Sequence, residues 1–263
     1  HGSSFRCRGV ARVSLFLADT WHLLVRHIRT TIRIPIWIAV TLIQPVIWLT
    51  LYGQLFRRVV EIPGFESGSY IQFLTPGVVI MTALFGSAWS GMGILEDLTD
   101  GVMDRLLATP VHRASLMTAR VLHAALTVAV QSVLILAFGL LLGARVNGGV
   151  VGIVSILVLA SLLGSGFSAL SNGLALVTRR EETLIAIINF FGLPLTFLST
   201  AFITSNLMPD WIRFIARGNP VNWAVDAARF SMLGQNWSGV AWRMLLLAFF
   251  ALASIALATR AFR

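Results

Sequence analysis

An all-α, polytopic membrane protein is predicted by three observations. The 263-residue chain is 57% hydrophobic but only 12% charged, with a mean hydropathy of +0.83. Soluble domains carry about 25% charged residues, so this chain cannot coat a soluble surface of its size. Its apolar residues are gathered into six long uncharged runs, and about 20 such residues at 1.5 Å rise each cross a hydrocarbon core.

The elements follow in order. The chain starts at His1 and not at Met, so residues 1–10 are given no structural weight. Over 13–33, Val13, Leu17, Trp21, Leu24, Val25, Ile28 and Ile32 recur at spacings of three and four, with Arg26, Arg29 and Arg33 on a separate stripe. This predicts an amphipathic interfacial helix lying in the headgroup plane. Six predicted transmembrane helices follow: Ile34–Phe56, Ile71–Leu95, Val121–Leu142, Val146–Val177, Thr183–Thr204 and Val240–Thr259, the last with Arg243 near its start. Pro45 and Pro194 fall inside two of them, which a packed bundle tolerates because neighbouring helices satisfy the freed carbonyls. Residues 205–238 are too polar for a seventh span. Pro209, Asn219 and Pro220 divide them, and Trp211, Trp223, Trp237 and Trp242 suit an interfacial belt. A short helical hairpin re-entering the outer leaflet is predicted there, with an ordinary outer loop as the alternative.

All 20 basic residues are Arg, and their placement sets the orientation. Thirteen lie in the N-terminal segment, 96–120, 178–182 and the C-terminus, against seven in the remaining segments. Both termini are therefore expected in the cytoplasm. The net charge of +9 is read as cytoplasmic flanks and contact with lipid headgroups, not as a nucleic-acid interface. Without Lys there is no Walker A loop, so ATP coupling requires another polypeptide. The single Cys7 excludes an internal disulfide and a cysteine-based zinc site.

The stretch from Ile94 to Arg120 lies between the second and third spans. Glu96, Asp97, Asp100 and Asp104 are expected at the start of a short helix, where carboxylates are favoured. Leu98, Val102, Leu106 and Leu107 share one face, and Pro110 ends the turn. Such an element suits a partner that pushes on it; a solvated loop helix is the plain alternative. Two enzymatic readings compete. Asp97, Asp100 and Asp104 could form a magnesium-diphosphate cluster of a membrane prenyltransferase-like enzyme, but the second half offers only isolated Asp210 and Asp226. Gly164-Ser165-Gly166 with His123 could suggest an intramembrane protease, but Gly164, Gly166, Ser168 and Gly173 suit close helix packing. His123, within a turn of the interface, is expected to snorkel. The spans hold no buried carboxylate of the kind a proton-coupled carrier uses.

At 101–120 the chain resembles the cytoplasmic loop of ABC transporter type-2 permeases, the daunorubicin-resistance type in particular. The matching residues are Gly101, Asp104, Arg105, Leu106, Leu107, Ala108, Thr109, Pro110 and Arg113. A second block agrees in order and place: Pro194, Phe197, Met208, Pro209, Trp211, Asn219, Pro220 and Asp226. Where family members often carry Glu-Lys or Glu-Arg before the loop glycine, this chain has Thr99-Asp100. The resemblance implies a permease subunit of an ATP-driven exporter, with no catalytic residue, metal or cofactor of its own. ATP and magnesium would sit on two copies of a partner ATPase, and a second permease would complete a homodimer or heterodimer in the inner or plasma membrane. Glu96, Asp97, Gly101, Asp104, Arg105, Leu106, Leu107, Pro110 and Arg113 would couple to the ATPase. Pro209, Trp211, Asn219, Pro220, Trp223 and Asp226 would form the outer hairpin. The cargo would be an amphipathic drug-like or lipidic molecule, or alternatively a polysaccharide or glycolipid.

Overall fold

In a computed structural model, residues 19–31, 35–56, 58, 69–102 and 113–261 are described, and among them the regular structure is helical with no strand. Helix α1 covers 19–31. It is followed by α2 (Pro35–Leu55), α3 (Tyr70–Ala88), a 3₁₀ turn (Trp89–Gly91) and α4 (Met92–Thr99). Then come α5 (Arg113–Leu141), α6 (Gly149–Thr178), α7 (Glu181–Phe197), α8 (Asp210–Arg217), α9 (Pro220–Leu233) and α10 (Trp237–Ala261). The described part of the predicted interfacial helix is α1; residues 13–18, 32 and 33 lie outside the described residues.

Four helical stretches are long and apolar enough to cross a membrane among the described residues: Tyr70–Thr99, Ser115–Leu141, Gly149–Thr178 and Trp237–Arg260. Helix α2 has 21 residues, and α7 has 17. Seventeen residues reach about 25 Å, short of a core of about 30 Å. The run expected to be helical over Thr183–Thr204 stops at Phe197. Hydropathy is blind to this stop, because it comes from tertiary contact: the Asn219 amide donates to the Leu195 and Leu198 carbonyls at 2.7 and 3.1 Å.

Helix α6 is the hub and packs on α10, α5, α3 and α9. The core it shares includes Phe73, Ile80, Leu84, Ile156, Leu159, Leu163, Val225 and Leu247. Large apolar side chains also cover the outside, among them Leu245, Phe249 and Leu252 on α10, a surface that lipid and not water can solvate. Small residues let α6 approach its neighbours. A Cβ on Gly152 would overlap the Ser231 carbonyl, one on Gly166 the Phe250 ring, and one on Gly173 would lie 3.2 Å from Ala258. The glycines around Ser165 therefore serve packing. Ser165 donates its hydroxyl to the Ser161 carbonyl at 2.7 Å, a bond internal to the helix and unsuited to a nucleophile.

Contacts sort the connections into two ends. At one end Gln72 donates to the Arg145 carbonyl at 3.1 Å, and the Asn147 and Gly148 amides donate to the Met232 carbonyl at 2.8 and 3.2 Å. At the other end Asp97 faces Arg26 and Arg120, and Ile94 and Leu95 pack with Leu184 and Ile188. These two ends match the two groups of arginine-bearing segments. Exposed positions supply a test in a Cys7→Ser background. Cysteines at Arg145 and Asn236 are expected to react with an impermeant maleimide from one side, and those at Asp100 and Arg180 from the other. Labelling of positions 145 and 100 from the same side would overturn this arrangement.

Candidate functional site

The charged end is built on α4. The stretch Tyr70–Thr99, read as the second span, bends at the 3₁₀ turn Trp89–Gly91, and helix resumes through Thr99 before Gly101 turns at φ 66°, a conformation that favours glycine. Glu96 and Asp97 therefore lie in the last turn of α4 and not at the start of a new helix, as their clustering had suggested. A carboxylate there opposes the helix dipole and needs a cation. Asp97 has two. It pairs with Arg120 of α5 and lies 3.6 Å from Arg26 of α1. Arg120 also donates to the Gly93 carbonyl at 3.1 Å, so its guanidinium straps α4 to α5. Glu96 and Asp100 are exposed. With Asp97 committed to two arginines, a magnesium-diphosphate cluster loses its first ligand. Asp104, Arg105, Leu106, Leu107 and Pro110 lie outside the described residues, as does the side chain of Arg113.

Beside this strap, His123 does not snorkel. Its Nε2 lies 2.8 Å from the Thr31 hydroxyl, and its ring sits 5.7 Å from that of His27. His27 in α1 is pulled down from 6.5 to about 3, chiefly by burial and then by Arg120, His123 and Arg26. The packed form is thus the neutral imidazole. A lowered folded-state value means stability is full above 6.5 and is lost as pH falls from there towards about 3, because the detached helix takes up the proton first. The loss is up to about 1.4 kcal/mol per pH unit. Protection of the α1 amides, corrected for the intrinsic pH dependence of exchange, is expected to fall between pH 7.5 and 5, and to stay level in His27→Gln. An identical profile in that variant would assign the effect elsewhere.

Above the bend, hydroxyls and an amide stitch α3 and α4 to α6. Ser90 and Ser168 hydroxyls lie 2.8 Å apart, the Gly91 amide donates to Ser171 Oγ at 3.1 Å, and Asn172 donates to Ser90 and Ser168 at 3.3 and 3.2 Å. Ser171 in turn donates to the Ala88 carbonyl, which the turn releases. Gly91 permits the approach: a Cβ there would lie 2.6 Å from the Ser171 carbonyl oxygen. This cluster escaped sequence reasoning. Its only signal was polar residues at helical spacing inside apolar runs, Ser168, Ser171 and Asn172.

The opposite end carries the hairpin. Pro209 flanks α8, whose Trp211 is 62% exposed. Asn219 caps α9 by accepting from the Val221 amide at 2.9 Å, Pro220 occupies the first turn, and Gly234 ends the helix at φ 71°. Trp223 is not a free interfacial anchor, since its indole donates to the Arg217 carbonyl at 2.6 Å and so ties α9 to α8. Asp226 is the centre of a polar network. It accepts from the Thr200 hydroxyl at 2.6 Å and from Asn222 at 3.3 Å, and lies 3.8 and 3.7 Å from Arg229 and Arg243. Asn222 also accepts from the Thr200 amide at 2.9 Å. Arg229 donates to the Thr200 carbonyl at 2.7 Å and stacks 3.8 Å above Phe73. Asp226 emerged from the second sequence block; Thr200, Asn222, Arg229 and Arg243 did not, because none of them shares a motif with it.

Comparison with known proteins agrees with a multi-pass membrane protein built of apolar helices. Residues 18–233 match the family model described as ABC-2 type transporter. A putative transport permease of Cyanophora paradoxa is 31% identical over 227 residues, covering 85% of this chain and 78% of that protein. A daunorubicin resistance ABC transporter permease of Streptomyces coeruleorubidus is 26% identical over 222 residues, with 84% and 76% covered. An inner membrane transport permease of Escherichia coli is 26% identical over 209 residues, with 76% and 78% covered. The match spans both the strap around Asp97 and the hairpin through Asp226, and the chain belongs to the ABC-2 type transporter family, as a multi-pass transport permease and not an enzyme.

Proposed function

We propose that this chain is the permease subunit of an ATP-driven exporter that moves an amphipathic, drug-like or lipidic molecule out of the cytoplasm or inner leaflet. The reading holds that α2 and α7, with the four long spans, make six crossings with both termini in the cytoplasm. Two permeases would work with two ATPase subunits that carry ATP and magnesium. The observation that supports it best is the strap at Asp97. A force applied to the loop after Gly101 enters α4, and Asp97 hands it to α5 through Arg120 and to α1 through Arg26. The same α4 is continuous, across the bend, with a 30-residue span. Closure of an ATPase dimer would thus move three elements as one body. The drug-like cargo is favoured by the daunorubicin resistance permease among the relatives.

The loop 101–110 supplies the test. Burying a Leu contributes roughly 1.5–3 kcal/mol, and Leu106 and Leu107 are the apolar anchors the resemblance offers. The Leu106→Asp/Leu107→Asp variant is expected to insert normally, to bind its ATPase at least tenfold more weakly, and not to export; about 1.4 kcal/mol is one decade. Co-purification and transport at wild-type levels would remove 101–110 as the docking element. Transport by this polypeptide alone, driven by a proton gradient, would remove the exporter reading.

A further inference from the structure

We propose that Arg243, beside Asp226 and Arg229, is the receptor of an anion-binding site in the outer half of the bilayer, which takes the phosphate or carboxylate headgroup of an amphiphile. The site rests on α10 being a span and not on the exporter reading.

Arg243 is the seventh residue of α10, about 9 Å along the helix from Trp237. An arginine at that depth is costly unless its donors find acceptors, and it never deprotonates. The structure provides few. Nη1 donates to the Gly239 carbonyl at 3.3 Å, Nη2 lies 3.7 Å from Asp226, beyond hydrogen-bond reach, and the guanidinium faces the Phe230 ring at 5.1 Å. Asp226 cannot move closer to Arg243 without loss, because one of its oxygens holds the Thr200 hydroxyl at 2.6 Å and the other the Asn222 amide at 3.3 Å, with Arg229 3.8 Å away. One carboxylate thus faces two guanidinium groups and is held back from the second by Asn222 of its own α9 and by Thr200 in the turn after α7. Nε and Nη2 of Arg243 make no hydrogen bond among the described residues. Together they form the planar fork that accepts two oxygens of one phosphate or carboxylate.

The surroundings suit a headgroup with an attached chain. The Arg243 side chain is 26% exposed, so the fork can be reached. On the same face of α10 as Arg243, three and seven residues further on, Leu246 and Phe250 are half-buried and offer apolar contact to the start of an attached chain. Trp237 and Trp242, 39% and 63% exposed, sit at the same end of α10, where indoles mark the interface. Asp226 fixes the ligand's charge at the low end. It already supplies one negative charge, so a monoanion balances the cluster, and a cationic headgroup is repelled by the uncovered fork.

The test compares the purified full chain with Arg243→Gln, Arg243→Lys and Arg213→Gln, the last removing an exposed arginine of the same outer region. Native mass spectrometry after addition of phosphatidylglycerol or phosphatidylcholine reads lipid retention. Wild type is expected to retain the anionic lipid at least fivefold better than the zwitterionic one. Arg243→Gln should lose that preference, Arg243→Lys should keep part of it, and Arg213→Gln should keep all of it. Thermal unfolding of each variant checks that folding is intact. Dodecyl phosphate separates the sources of the headgroup: if it displaces bound phosphatidylglycerol, the site serves a mobile amphiphile; if the lipid stays, the site holds a resident lipid. Equal retention of both lipids by wild type, or an undiminished preference in both Arg243 variants, would overturn the proposal and leave hydration as the partner of Arg243.

Discussion

Replacing Asp97 with Ala is expected to be the most damaging single change in the charged end, at about 3–5 kcal/mol. The side chains of Arg120 and Asp97 are only 11% and 18% exposed, so each depends on the other for its charge. Removing the carboxylate leaves the guanidinium with the Gly93 carbonyl alone, and places its charge beside Arg26 without a mediator. The substitution also frees α4 from both α1 and α5. Removing Arg26 should cost far less, because its side chain is 43% exposed and its contact with Asp97 is 3.6 Å, a distance at which exposed pairs contribute roughly 0–1 kcal/mol. The double variant Asp97→Ala/Arg120→Leu separates charge from packing. A buried pair replaced by apolar residues is often neutral, so more than half of the lost thermal stability should return. Transport should not return, because the strap that joins α4 to α5 is still missing. If Asp97→Ala unfolds at the wild-type temperature, or if the double variant also exports normally, the strap is neither a stabilising nor a transmitting element.

What the sequence made legible and what it hid divide along one physical line. Uncharged runs report burial in lipid, and they located α2, α3, α5, α6 and α10 to within a few residues at most ends. A start read at Val121 for the third span became Arg113, because Arg120 and His123 find partners within the fold and do not break the helix. Local capping was legible too, since Asn219-Pro220 and Gly234 act within a turn of themselves. Pairings across long separations were not. Nothing near Asp97 points to Arg26, 71 residues earlier, or to Arg120, and its place in the last turn of α4 depends on them. The end of α7 was hidden for the same reason. Leu198 to Thr204 read as apolar and β-branched, and only the Asn219 amide, arriving from the next connection, withdraws the carbonyls that would have continued the helix. The Trp residues of the hairpin were visible as a class, but whether an indole stays exposed, as Trp211 does, or donates to a carbonyl, as Trp223 does, is decided by tertiary contact.

Gly152→Ala is expected to do disproportionate harm for a single methyl group. The new Cβ would overlap the backbone carbonyl of Ser231, and this carbonyl in the last turn of α9 can yield only if that end of the helix moves. Overpacking of this kind costs about 1–3 kcal/mol by itself. The displaced end also carries Arg229, so its 2.7 Å bond to the Thr200 carbonyl stretches with it at about 1 kcal/mol. Two other glycines calibrate the effect. In Gly164→Ala the Cβ would come within 3.0 Å of a Val128 methyl group, a side chain that can turn slightly, so the cost should be intermediate. In Gly218→Ala the nearest atom is the Ile215 carbonyl oxygen at 3.7 Å, ordinary contact, so the change should be nearly neutral. Thermal unfolding in detergent should therefore rank the variants Gly152→Ala below Gly164→Ala below Gly218→Ala. Maleimide accessibility at Asn236 should change only in the first, because α9 leads directly into that turn. If Gly152→Ala and Gly218→Ala unfold together, α6 and α9 are less closely packed than the Ser231 contact implies, and the polar network around Asp226 does not depend on that crossing.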